Sequence, residues 1–193
     1  MSICRLVRHC GGASAAEFAL VLPLLILFLF GIIDVGRLMW TWNRAEKATQ
    51  MGVRYAIVTD MVPADLATRN FATDNGVPGG DPVPTSEFSS TTCDTSSCTG
   101  NWGYDGAAFD GIVTRMQAIM PEIGDTNVRI DYENVGLGYA GDPHGPDVAP
   151  LVTVRLTGLT FQPLTTLIFG LNMTMPDFRA ALTLEDGDGT VAN

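Results

Sequence analysis

From Phe18 to Ile33 the chain runs sixteen residues without a charged or hydrogen-bonding side chain, and Glu17 stands at the very start of that run. Counted back through Ala15 and Ala16, and forward past Asp34 to Val35 and Leu38, the stretch reaches the ~20 residues that a hydrocarbon core requires. Inside lipid every backbone N–H and C=O must be satisfied within the segment, so the run has to be helical. Pro23 removes one backbone donor, and a mild kink rather than a break is expected there. Trp40 and Trp42 follow, where amphipathic rings would sit at the second membrane interface. A cleaved secretory signal also has a basic start and an apolar region, but this run is long and no A-x-A-like site follows it. The expectation is a single-pass transmembrane helix over residues 13–42, in contact with the lipid bilayer.

A carboxylate at the rim of a membrane segment needs a reason, because an ionisable residue in a span costs roughly 2.5 to 3.5 kcal/mol, less near the interface. The residues before it supply one. Gly12 precedes Ala13-Ser14-Ala15-Ala16-Glu17-Phe18, after a leader of residues 1–12 that carries Arg5 and Arg8. If a peptidase cuts between Gly12 and Ala13, the new α-amino group lies one helical turn from Glu17, or beside the Glu17 of a neighbouring subunit. Opposite charges then meet where the dielectric is low. Gly12 suits such a cut, having no side chain to hinder backbone approach. The alternative is a glutamate that simply rests among lipid headgroups.

Basic residues flank the span on both sides, Arg5 and Arg8 before it and Arg37, Arg44, Lys47 and Arg54 after it, so counting them does not orient it. Two other features favour a cytoplasmic N-terminus and an exported remainder. After Trp42 there are eight Lys or Arg against nineteen Asp or Glu, and Cys93 and Cys98 sit in a small polar loop as a disulfide pair would. Bridges persist in periplasmic or extracellular space, and closing so short a loop stabilises a fold by about 2 kcal/mol in the chain-entropy model. Cys4 and Cys10 lie in the leader. A zinc site needs further ligands, and beyond the leader only His144 joins the two thiols as a soft or nitrogen donor. In a reducing compartment the two thiols would instead stay free.

The net charge of −10, which becomes −12 without Arg5 and Arg8, excludes nucleic acid as a partner, since phosphate binding needs clustered Lys and Arg. No enzyme site is expected. His144 has no nucleophile near it in a recognisable setting. Gly136-Leu-Gly138-Tyr-Ala-Gly141 has the letters of a dinucleotide loop, but Pro143 and Pro146 prevent the helix that must hold the pyrophosphate. Asp186-Gly-Asp188-Gly-Thr190 supplies too few oxygens for calcium and reads as an acidic tail. No metal and no cofactor are implied.

Residues 43–193 read as one exported α+β domain. Asn43 to Val58 continues the helical pattern as a stalk, with Ala45, Ala48, Gly52 and Tyr55 on a small apolar face that suits either the chain's own sheet or a neighbouring helix. Asp74 to Asn101, rich in Gly, Pro, Ser, Thr and Asp, reads as a long surface loop stapled at its far end. Ala107 to Met120 is a second amphipathic helix, stopped at Pro121. Asn127–Asn134, Leu151–Leu159 and Phe178–Leu184 alternate as strands of a small antiparallel sheet of three or four strands with one buried face. Leu164 to Leu171 reads as a short helix on the sheet or near the membrane.

Gly12-x-x-x-x-Glu17-Phe18, Ala19 to Leu25, Phe30-Gly-Ile-Ile-Asp34-Val-Gly-Arg37 and Gly52-Val-Arg54-Tyr55-Ala56 together resemble the TadE-like family of tight-adherence (Flp-type) pilus assembly. The likeness covers roughly residues 11–58; the strands towards the C-terminus are similar in style but less diagnostic. The resemblance implies a pseudopilin or minor pilin of the inner membrane, processed by a prepilin peptidase, with Gly12, Ala13, Glu17 and Phe18 carrying processing and assembly. The partners it implies are that peptidase, other pilins or pseudopilins, and the inner-membrane Tad assembly proteins. An unprocessed single-pass scaffold of the pilus machinery and a tip-presented adhesin working through the Cys93–Cys98 loop are the two alternatives.

Overall fold

The computed structural model describes residues 13–166, 170, 172–185, 187 and 189. The leader with Gly12, Cys4 and Cys10, the end of the Leu164–Leu171 run, and most of the acidic tail lie outside the described residues. The chain is α+β. One helix, α1 (Ala13–Ala56), passes unbroken through Pro23 and takes in both the expected span and the expected stalk. Among the described residues three further α-helices follow, α2 (Ala64–Thr68), α3 (Phe71–Asp74) and α4 (Gly106–Gln117), with a 3-10 turn at Asp125–Asn127 and six strands: β1 (Ser90–Cys93), β2 (Val128–Glu133), β3 (Leu151–Leu156), β4 (Thr160–Phe161), β5 (Met173–Thr174) and β6 (Phe178–Thr183). The main sheet is antiparallel in the order β1-β2-β3-β6, and β4 pairs with β5. The chain divides into two compact units. One holds α1 up to Thr41 with Thr160–Met173; the other holds Trp42–Leu159 with the described residues of Thr174–Asn193.

The second unit has its core between the sheet and two helices. Ile130, Tyr132, Val152, Val154 and Leu156 project from one sheet face and are fully buried, as period-two alternation requires. The C-terminal part of α1 lies on this face: Ala45, Ala48, Val53 and Ala56 are buried, and a Cβ on Gly52 would come within 2.8 Å of Met116 on α4 and 3.4 Å of Val154 on β3. The small stripe therefore packs on the chain's own sheet, which settles the choice the sequence leaves open. Arg44 fastens this helix by donating to the carbonyl of Ile119 at 3.1 Å and to both carboxylate oxygens of Glu122, at 3.2 and 2.9 Å. α4 begins where Asp105 accepts from the N–H groups of Ala107 and Ala108, filling two of the donors a helix start leaves over. Tyr132 is buried whole; burial drives its phenol well above the usual tyrosine pKa, and the N–H of Val62 donates to its oxygen at 3.2 Å.

Two sequence expectations change. The 74–101 stretch is not loop throughout, because Ser90–Cys93 forms the fourth strand, paired along β2 from Ser90↔Glu133 to Cys93↔Ile130. Its body is held down by buried Val83 and Phe88 and by the buried Asn134 amide, which donates to the carbonyls of both at 2.9 Å. Trp42 is not free for an interface belt. Its ring meets Phe178 edge-on at 5.0 Å and its indole N–H donates to Glu46 at 2.7 Å, leaving Trp40, 68% exposed, as the outward ring.

Candidate functional site

The N-terminal half of α1 shows apolar side chains to its surroundings. Phe18 is 64% exposed and Leu20 76%, and only 6% of the most apolar stretch is buried. A helix of this length and composition is long and apolar enough to cross a membrane. Ala13 and Glu17 lie in its first two turns. Glu17 is exposed and has no hydrogen bond or ion pair among the described residues. Glu17 and Phe18 are neighbours on this helix, whereas Cys93 and Cys98 belong to the other compact unit.

Further along the same helix, Asp34 is the opposite case. Its neighbours Ile32, Ile33 and Val35 are 55%, 40% and 58% exposed, yet Asp34 is 7% exposed. Its carboxylate accepts from the N–H of Leu164 at 2.6 Å, from the N–H and hydroxyl of Thr165 at 3.0 Å each, and from Arg37 at 3.4 Å. Arg37 also donates to the carbonyl of Gln162 at 3.3 Å and stands over the Phe161 ring, 5.5 Å from its centroid. One helical turn thus clamps the segment 161–165 with a carboxylate and a guanidinium. The carboxylate is supplied with donors on both oxygens, so it can position backbone but has no lone pair aimed at a substrate. Sequence reasoning places Asp34 only as part of a motif. The available signal is a second acidic residue in an apolar run with an arginine three residues on, which is a functional hypothesis by default.

Cys93 and Cys98 are joined, with an S–S distance of 1.95 Å, across an antiparallel bridge that turns the chain back on β1. Asp94 shapes the turn by accepting from the N–H groups of Ser96 and Ser97 at 3.0 and 3.1 Å. Those two backbone donors, with the Ser96 hydroxyl and Arg129, hold its carboxyl below the ordinary 3.8, against a smaller opposing push from burial. The returning chain then bonds to the outer edge of β1. Thr99 donates from its N–H to the carbonyl of Thr92 at 2.8 Å, and its hydroxyl accepts from the N–H of Thr92 at 2.9 Å.

The remaining sequence candidates lie on the connection between β2 and β3. Gly136, Gly138 and Gly141 all have positive φ in the connection between β2 and β3, and a Cβ on Gly138 would lie 2.5 Å from the carbonyl of Asp147, so only glycine fits where the backbone folds back on itself there. His144 is exposed on that connection. Asp147, buried beneath it, accepts from the N–H groups of Phe71 at 2.6 Å and Asp142 at 3.0 Å and so ties α3 to the connection. No curated protein and no solved structure matches the chain. The family model described as TadE-like protein matches residues 12–54, the stretch that holds the exposed apolar part of α1, Glu17, Asp34 and Arg37.

Proposed function

We propose that this chain is a pseudopilin or minor pilin of a Tad-type pilus system, cut after Gly12 by a prepilin peptidase. On this reading α1 holds it in the inner membrane, the leader faces the cytoplasm and the domain after Trp42 faces the periplasm. It is a structural subunit, without catalysis or cofactor, that meets other pilins or pseudopilins and the inner-membrane assembly proteins through α1. The observation that carries the reading is Glu17: an exposed carboxylate with no partner among the described residues, on a helix whose apolar side chains are uncovered, within the segment that matches the TadE-like model. A charge so placed is stabilised by an amine brought to it, and cleavage after Gly12 creates one at Ala13.

The test is the N-terminal mass of the full chain recovered from membranes of cells with and without an active prepilin peptidase. A chain starting at Ala13 only when the peptidase is active supports the proposal. A chain starting at Met1 or Ser2 in both rejects it and leaves an unprocessed membrane scaffold. In the processed protein Glu17→Val keeps membrane insertion and loses assembly with its partners.

A further inference from the structure

The two edges of the main sheet are built differently. The outer edge of β1 is occupied by the disulfide-closed turn, through the bonds of Thr99 to Thr92 and the Cys93–Cys98 bridge. β6, at the other end, has β3 on one side only, and none of the backbone groups of Phe178–Thr183 bonds outside the sheet among the described residues. An edge strand left this way presents a row of N–H and C=O groups ready to pair with another chain. β6 also lacks the usual guards, having no proline, no lysine and only one charged side chain.

The arginines show what the edge is prepared to meet. Among the described residues Arg37, Arg44, Arg69, Arg129 and Arg155 each have a polar partner. Arg54, Arg115 and Arg179 are exposed and have neither an ion pair nor a hydrogen bond among the described residues. All three lie at this edge. Arg54 and Arg115 line a groove of about 420 Å³ with Tyr55, Leu182 and Glu185 on the helix-covered side of the sheet. Arg179 projects from the opposite face, where it ends a row of three arginines in direct register: Arg129 on β2, Arg155 on β3, Arg179 on β6. Like charges directly opposite are destabilising. The first two members are answered, Arg129 by Asp94 at 3.8 Å and Arg155 by Asp131. Arg179 is not.

We propose that β6 is a docking edge for an extended, carboxylate-bearing segment of a partner protein. The segment adds a fifth strand to the sheet, sets an Asp or Glu opposite Arg179 at the close cross-strand separation of about 5 Å, and lays its alternate side chains into the groove between Arg54, Arg115 and Leu182. A second copy's β6 does not meet this requirement, because Phe178-Arg-Ala-Ala-Leu-Thr183 brings another arginine and no carboxylate. The edge lies in the unit beyond Trp42 and owes nothing to N-terminal processing, so it stands or falls apart from the proposed function.

The experiment uses the full chain in detergent with two fluorescent peptides of about eight residues, the length of a typical strand, one alternating valine with glutamate and the other valine with lysine. Hydrogen exchange locates the contact and fluorescence anisotropy gives the affinity. The glutamate peptide is expected to slow exchange across Phe178–Thr183 and not across Ser90–Cys93, and to bind better than the lysine peptide. Arg179→Glu weakens the glutamate peptide by about fivefold or more and strengthens the lysine peptide, as an opposed pair of like sign requires, while Arg179→Lys keeps the original preference. The inference is overturned if neither peptide protects β6, if both protect it equally, or if Arg179→Glu changes neither affinity. Protection of β6 that grows with protein concentration, peptide absent, makes a second copy the occupant and overturns it too.

Discussion

At the scale of single residues, several polar side chains in this chain act by capturing stray backbone donors and acceptors. Asn134, Asp147, Asp105 and Asp94 each bind two N–H groups or two carbonyls that the local backbone leaves over. Asp34 does the same across a far greater distance in sequence, reaching the N–H groups of Leu164 and Thr165. Replacing it with alanine removes both of these hydrogen bonds to a charged acceptor, each worth about 1.5–3 kcal/mol. Asp34→Ala is therefore expected to speed amide exchange at Leu164 and Thr165 by about one to two orders of magnitude, measured by exchange mass spectrometry on the full chain. Unchanged exchange at those two amides would show that the clamp does not hold the segment. None of these partners is legible in the sequence, since a carboxylate's spacing from its donors along the chain says nothing about their spacing in space. Glu17 is the exception, because its setting between small residues and an apolar run is itself local.

At the scale of elements, what was legible followed from periodicity. The alternation at Val128-Arg-Ile-Asp-Tyr, at Leu151-Val-Thr-Val-Arg-Leu and from Phe178 onward marks β2, β3 and β6 to within a few residues, and the stripe through Phe109, Ile112, Val113 and Met116 marks α4. β1 escaped because Ser90-Thr-Thr-Cys93 carries no apolar alternation and sits among glycine, proline and serine; it is a strand because β2 offers it an edge, an effect of tertiary context on weak local preference. That finding alters how the loop can be tested, since deleting residues 78–99 would remove an edge strand along with any binding loop. The staple beside it is a cleaner handle. Cys93→Ser with Cys98→Ser removes about 2 kcal/mol of chain-entropy stabilisation, which lowers the Tm of the domain by about 4–8 °C. Thermal unfolding with and without reductant checks this: the native chain should lose that increment on reduction and the double variant should lose nothing.

At the scale of the molecule, a 44-residue helix joins a part whose side chains are exposed and apolar to a part whose small residues are buried against a sheet. The first is long and apolar enough to cross a membrane and the second packs as the spine of a folded domain, so attachment to a membrane is expected to depend on apolar burial and not on the domain's charge. High salt and alkaline carbonate are accordingly expected to leave the full chain in the membrane pellet, and detergent to release it; recovery in the carbonate supernatant would count against a span. The disulfide turn carries a further consequence for how many neighbours a domain can have. While the turn covers β1, the sheet is a tile with one joinable side, and joining ends there. Opening the turn would give the tile two unlike sides, the second running on from β1 into Asp94 and so offering the carboxylate that Arg179 calls for, and units with two unlike sides link head to tail without limit unless rotation happens to close them. Light scattering of the variant carrying Cys93→Ser and Cys98→Ser would read that change as growth in size with concentration. Oxidation of one short turn would then set the valence of the subunit.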